Sequence, residues 1–85
     1  MPKVDKRLQR FLSVPNDLAW AELVAILNSL GFAELAQRRG SYRTFVSGAG
    51  LKLFLHRPHP GNIVKRYAIR EVIEALRNFG IISEE

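Results

Sequence analysis

Two histidines stand close together in the segment His56-Arg57-Pro58-His59-Pro60. Histidine transfers protons at neutral pH because its ordinary pKa is about 6.5. Cleavage of RNA without a metal ion needs one group that removes the 2′-hydroxyl proton and another that protonates the leaving oxygen. His56 and His59 can supply both groups, and Arg57 can stabilise the charge on the phosphate. The plainer interpretation is that His56 ends a strand and His59 shapes a turn, and the spacing does not decide between the two.

The chain offers little for holding a metal ion. It contains no cysteine, which excludes thiolate zinc sites, disulfides and a cysteine nucleophile. A site built on His56 and His59 would need further ligands, and no carboxylate is near them in the sequence. We expect neither a metal nor a cofactor.

Both histidines lie in a stretch without acidic residues, which runs from residue 35 to residue 70 and contains eight Lys or Arg. Its formal charge of +8 exceeds the +5 of the whole chain. Charge segregated in this way repels itself unless a polyanion binds to it. We therefore expect one positively charged surface that binds a nucleic-acid backbone or an acidic protein. The candidate phosphate-binding residues are Arg39, Ser41, Arg43, Lys52, Arg57, Lys65 and Arg66.

Two places within this stretch suit a phosphate. Gly40 permits a close approach of the backbone, the Ser41 hydroxyl can form a hydrogen bond, and Arg43 can clamp a phosphate with two hydrogen bonds. Lys65 and Arg66 stand at the start of a predicted helix, where the helix dipole disfavours cations. A phosphate bound there would offset that cost. A solvated turn and solvated charges are the plainer interpretations.

Length and composition are typical of one small globular domain. The chain has 85 residues, of which 47% are hydrophobic and 25% charged. We predict a single domain over residues 1–85, with a basic N-terminal extension at 1–15 and a core at 16–80. No apolar run approaches the ~18 residues that cross a bilayer, and the N-terminus lacks the features of a signal peptide. We therefore expect a cytoplasmic protein that does not associate with membranes.

The hydrophobic periodicity predicts an α+β fold. Apolar residues recur every three or four positions at both ends of the chain and every second position in its middle. Asn16 or Asp17 is the predicted N-cap of the second helix, and Gly31 its left-handed stop. The predicted elements are helices over Val4–Leu12 and across residues 20–30, strands over Phe32–Arg38, Tyr42–Ser47 and Leu51–His56, and a helix over Ala68–Phe79. They pack most simply as a three-stranded antiparallel sheet with helices on one face, and the sequence leaves open whether the first dozen residues join this domain.

The third predicted strand carries Leu51, Leu53 and Leu55 on one face, and we predict that this face is buried. The pattern does not settle which face of the second strand is buried. With the leucines inward, Phe45 and Phe54 would form an aromatic face among basic residues. Such a face can stack unpaired bases or form a homodimer contact, and we favour the homodimer.

These segments together resemble the HicA toxins, the small ribonuclease partners in HicAB toxin–antitoxin operons. The resemblance covers most of the chain, from Asp17 to Phe79, and the basic segment before Pro15 is similar to that of the longer members. The residues that carry it are Gly31-Phe32, Arg39-Gly40-Ser41-x-Arg43-x-Phe45, the segment from Leu55 to Asn62, and the helix after Tyr67.

The resemblance implies a double-stranded-RNA-binding-domain-like fold of order α-β-β-β-α, cleavage of messenger RNA, and neutralisation by a HicB antitoxin. In the family the catalytic histidine directly follows the Gly-Ser pair, and here Tyr42 holds that position. A phenol is a poor general base at neutral pH because its ordinary pKa is near ~10. Three outcomes stay open: His56 or His59 has taken over proton transfer, the activity is feeble, or the chain only binds RNA, DNA or an antitoxin. Tyr42 joins the two histidines as a candidate catalytic residue.

Overall fold

The computed structural model describes residues 6–35, 42–58 and 61–82, which form three helices and one sheet. The elements in chain order are α1 (Lys6–Leu12), α2 (Trp20–Ser29), β1 (Phe32–Glu34), β2 (Tyr42–Ser47), β3 (Lys52–His56) and α3 (Arg66–Asn78). The predicted α+β class is confirmed, with the α-β-β-β-α order of a double-stranded-RNA-binding domain and an extra N-terminal helix. None of the helices in these ranges has the length and apolar character that a membrane span requires.

Within the described residues, the element boundaries agree with the predicted ones to within a few residues. The predicted start of the first helix at Val4 and the predicted end of the first strand at Arg38 lie outside these residues. β2 has the predicted bounds, β3 begins one residue later, and α3 begins two residues earlier. The predicted cap of α2 is wrong, because the N-cap is Ala19 and not Asn16 or Asp17. The backbone N–H of Ala19 donates to Glu22 Oε1 at 3.2 Å, which is one half of a capping box.

The register of the sheet decides which strand residues enter the core. The strands lie in the order β1-β2-β3 and pair antiparallel. Phe45 lies opposite Leu53 and is fully buried, whereas Phe54 lies opposite Thr44 and is 63% exposed. Opposite residues project to the same face, so the two phenylalanines lie on opposite faces. The predicted homodimer face formed by Phe45 and Phe54 is therefore wrong: the ring of Phe45 packs edge-on against Trp20 inside the core, with centroids 6.0 Å apart.

α1 packs onto the domain through both an apolar and a charged contact. Phe11 is fully buried in the same core as α2 and α3. Beside it, Arg10 Nη1 lies 2.8 Å from Asp17 Oδ1, and Arg10 Nη2 lies 3.2 Å from Glu22 Oε1. The hydrogen bonds from Arg10, followed by the one from the Ala19 N–H, hold the pKa of Glu22 below its ordinary value. The N-terminal segment from Lys6 onward is thus part of the folded domain.

Two backbone hydrogen bonds fix the start of α3 against the start of α2. The N–H of Trp20 donates to the carbonyl of Asn62 at 2.7 Å, and the N–H of Val64 donates to the carbonyl of Leu18 at 2.8 Å. α3 then buries its predicted apolar stripe, which consists of Ile69, Val72, Ile73 and Leu76. These contacts fix the segment between β3 and α3 against the start of α2.

Candidate nucleic-acid interface

A cleft of about 690 Å³ lies where β3 ends and α3 begins. Residues from β2, β3 and the first turns of α3 line it, because the sheet register and the bonds at the start of α3 bring these elements together. We call it the aromatic cleft, because rings line it together with two cations. The rings belong to Tyr42, Phe54, His56 and Tyr67, and the cations are Arg57 and Lys65. Four of the ten predicted site residues line this one space: Tyr42, His56, Arg57 and Lys65.

Tyr42 and His56 form a stacked pair inside the aromatic cleft. They lie directly opposite each other in the register of β2 and β3, and their ring centroids are 4.1 Å apart with an interplanar angle of 21°. Both residues are exposed despite this contact. The stack therefore limits the orientations of the imidazole while leaving it open to solvent. An imidazole held in this way can exchange a proton with a bound molecule.

Arg57 and Lys65 supply positive charge to the same cleft. Both are exposed, and neither has a hydrogen-bond or ion-pair partner within the described part of the chain. Lys65 is the N-cap of α3, gives no side-chain cap, and is followed by a first turn without acidic residues. The first amides of a helix have no partner within the helix, so they add positive potential at this end. The electrostatics of the cleft suit a phosphate group.

Other predicted phosphate-binding residues lie away from the aromatic cleft. Arg43 Nε lies 3.1 Å from Glu34 Oε2, and the register directs Arg43 to the face opposite that of Tyr42. Lys52 shares the outer sheet face with the cleft residues but lies four positions before the end of β3, about 13 Å along the strand. Arg66 begins α3 and is exposed, yet it does not line the cleft.

The basic residues of the acid-free stretch that the structure describes lie at more than one place on the domain. Arg70 lines a second cleft, of about 520 Å³, together with Leu12 of α1. Arg43 is paired with a carboxylate of β1. The prediction of a single positive surface is therefore wrong for Arg43, whereas Arg57 and Lys65 come together at the aromatic cleft.

Three predicted site residues, Arg39, Ser41 and His59, lie outside the described residues. Their roles stay predictions. Within residues 6–35, 42–58 and 61–82, no three His, Asp or Glu side chains come together as a set of metal ligands.

Two residues that line the aromatic cleft are absent from the predicted site. Tyr67 is 61% exposed, and Glu71 follows it by one helical turn and lines the same space. The signal was present, because residues four apart share one face of a helix and both positions lie off the buried stripe that contains Ile69. Glu71 brings a carboxylate into the cleft, and a carboxylate is a further candidate for proton transfer.

Comparison with known protein families gives a match over most of the chain. The model of a family described as "HicA toxin of bacterial toxin-antitoxin" matches residues 20–81. This range begins with α2, ends just after α3 and contains the aromatic cleft, whereas α1 lies outside it. No curated protein and no solved structure gives a significant match to the chain.

Proposed function

The chain belongs to the HicA toxin family, and on this premise we propose that it binds messenger RNA at the aromatic cleft and cleaves it without a metal ion. The observation that carries the proposal is the stacked Tyr42–His56 pair, which shares a cleft with two cations that have no partner in the described part of the chain. An RNA backbone supplies both the phosphate that such cations bind and the hydroxyl on which an imidazole can act.

The proposed reaction is an internal displacement at phosphorus. The 2′-oxygen loses its proton to a base and attacks the adjacent phosphorus, while the bond from phosphorus to the 5′-oxygen breaks. The departing oxygen takes a proton from an acid, so the products are a 2′,3′-cyclic phosphate and a 5′-hydroxyl. His56 is the first candidate for one of these proton transfers, and His59 and Glu71 are candidates for the other. Arg57 and Lys65 would stabilise the charge on the phosphate.

Tyr42 holds the position at which the family has its catalytic histidine, and its proposed role follows from its contact with His56. The ring would hold the imidazole in a fixed orientation and not transfer the proton itself. Tyr42→Phe retains this stack and should retain most of the cleavage. Tyr42→Ala removes the stack and should lower the cleavage rate.

The partners that we propose follow from the family. A HicA toxin is paired with an antitoxin, and we propose that a HicB-like protein binds this chain and blocks the aromatic cleft. The substrate would be messenger RNA, so the proposed site of action is the cytoplasm. Co-purification with the product of a neighbouring HicB-like reading frame, followed by loss of RNA cleavage in the complex, would support this pairing.

The test of catalysis is incubation of the purified chain with messenger RNA in the presence of a chelator. We expect cleavage, and we expect His56→Ala to lower its rate by about 10²-fold or more, the usual contribution of a general acid or base. Lys6→Gln, a change on the exposed surface of α1, is the matched control and should leave the rate unchanged. A full rate in His56→Ala, with a large loss in His59→Ala or Glu71→Gln, would move the proton transfers to those residues.

A second candidate function is a catalytically silent module that binds nucleic acid or docks the antitoxin. The presence of Tyr42 at the family's histidine position favours it. A basic cleft attracts an acidic protein as well as RNA, so charge does not separate the two. RNA that stays intact at stoichiometric protein, together with RNA binding or antitoxin binding, would support this function and exclude the catalytic one.

A further inference from the structure

The aromatic residues of this chain are distributed unevenly between the core and the surface. It contains eight Phe, Tyr and Trp residues, and five of them are buried or half-buried. The other three are 52%, 63% and 61% exposed, and all three line the aromatic cleft: Tyr42, Phe54 and Tyr67. Exposed aromatic rings gathered at one place, beside cations, indicate a binding surface.

Two of these rings have no aromatic neighbour within the described part of the chain. Tyr42 is stacked on His56, whereas Phe54 and Tyr67 make no ring contact there. The fold does not require rings at these positions. Phe54 projects from the outer face of the sheet opposite Thr44, and Tyr67 lies off the buried stripe of α3. A polar side chain would serve either position without loss of core packing.

We infer that Phe54 and Tyr67 stack on an unpaired nucleobase, while Arg57 and Lys65 bind the phosphates on either side of it. This inference rests on the proposed RNA-binding function and specifies its substrate class as single-stranded RNA. A ring can stack on a base when the face of that base is open, and in a duplex the neighbouring base pairs cover it. A volume of about 690 Å³ is ample for one nucleotide. Although the fold resembles that of a duplex-binding domain, the cleft would therefore bind a single strand.

The test is a comparison of three labelled probes by fluorescence anisotropy. All have 2′-O-methyl sugars so that they resist cleavage: a single-stranded 12-mer, the same strand annealed to its complement, and an abasic 12-mer that keeps the sugar-phosphate chain. We expect the single strand to bind about 5- to 100-fold more tightly than the abasic chain, the range that stacking of one base gives. The duplex should bind no more tightly than the abasic chain.

Substitutions of Phe54 and Tyr67 test whether these two rings cause the preference for the single strand. Phe54→Leu and Tyr67→Leu keep apolar bulk but lose the ring, and each should weaken binding of the single strand about fivefold or more while leaving binding of the abasic chain unchanged. Tyr67→Phe should recover most of the affinity that Tyr67→Leu loses. Leu35→Ala, an exposed leucine of the chain outside the cleft, is the control and should bind all three probes as the unmodified chain does. Both rings are exposed, so the Leu variants should unfold at the same temperature as the unmodified chain.

Several results would overturn the inference, and they differ from a failure of the proposed function. Equal, salt-sensitive binding of all three probes would leave RNA binding in place and exclude stacking. Tightest binding of the duplex, or full affinity of Tyr67→Leu for the single strand, would also exclude it. If no probe binds, RNA binding itself fails. Binding of a glutamate-rich peptide that is lost in Tyr67→Leu, without RNA binding, would identify an acidic protein as the ligand of the cleft.

Discussion

Two regions of this domain use the same kind of side chain for different purposes. At the N-terminal seam, formed by α1 and the start of α2, Arg10 binds two carboxylates and precedes the buried residue Phe11 in the chain. At the aromatic cleft, Arg57 is exposed and has no partner within the described part of the chain. The first arginine joins two segments of the chain, and the second is available to a molecule outside it.

This contrast separates the charges that stabilise a basic protein from those that bind its ligands. Charge that is neutralised by the chain itself contributes to the fold, and charge left without a partner beside exposed rings contributes to binding. The family match follows the same division, because it contains the aromatic cleft and begins after α1. The seam is thus a structural addition to the matched region, and the cleft lies within that region.

The greatest loss of stability should come from a substitution that disrupts the N-terminal seam. Phe11→Ala removes a fully buried ring and should lower the free energy of unfolding by about 3–5 kcal/mol. The matched control is Leu12→Ala at the neighbouring position, which is 38% exposed and should cost much less. Denaturant unfolding measures both. If the two variants are equally stable, α1 does not dock on the core and the seam is not structural.

The second prediction concerns RNA binding by the two cations of the aromatic cleft. Arg57→Gln and Lys65→Gln should each weaken RNA binding, and each should lower the slope of log affinity against log salt by about 0.7, the value for one phosphate contact on a single strand. Neither should change the unfolding temperature, because both side chains are exposed and without a partner in the described residues. An unchanged salt slope in both variants would show that the phosphates lie elsewhere.

Periodicity was enough to predict the class and order of the elements. The stripe of α3 and the bounds of β2 follow from the spacing of apolar residues, which backbone geometry imposes locally. Periodicity does not predict which face of a strand is buried. A period of two shows that Phe45 and its neighbours alternate, but only the pairing with β3 decides that Phe45 is buried and Phe54 exposed.

The sequence likewise predicts only part of the candidate site, because some of its contacts depend on the strand register. His56, Arg57 and Lys65 were identified from residue type and position in the acid-free stretch, and the structure brings them to one cleft. The pairing of Arg43 with Glu34 depends on the register of β1 and β2, which no local pattern contains. Tyr67 carries no charge, so a search for basic residues does not find it, and its exposure is visible only in the structure.

A smaller effect is expected when Arg10 is changed, and its pattern should be the reverse of that for Arg57. Arg10→Gln removes the partner of Asp17 and Glu22 and should lower the unfolding temperature, by less than Phe11→Ala does. It should leave the salt slope of RNA binding unchanged, the reverse of the result expected for Arg57→Gln. Lys6→Gln, which removes the same charge from α1 at an exposed position, is the control for both measurements. A lower salt slope in Arg10→Gln would mean that the seam also binds RNA.

The smallest effect is the dependence of the seam on pH. Hydrogen bonds from Arg10, and then from the Ala19 N–H, hold the pKa of Glu22 below its ordinary value. Folding therefore favours the ionised carboxylate, so its contribution to stability is present above the ordinary pKa and is lost as the pH falls through the lowered one. Glu22→Gln can still accept the hydrogen bond from Ala19 but carries no charge, so the unmodified chain should be the more stable protein at pH 6, and this difference should shrink toward pH 3. Unfolding temperatures of both proteins across this range measure it, and a difference that is constant with pH would mean that the Arg10 contact depends on shape and not on charge.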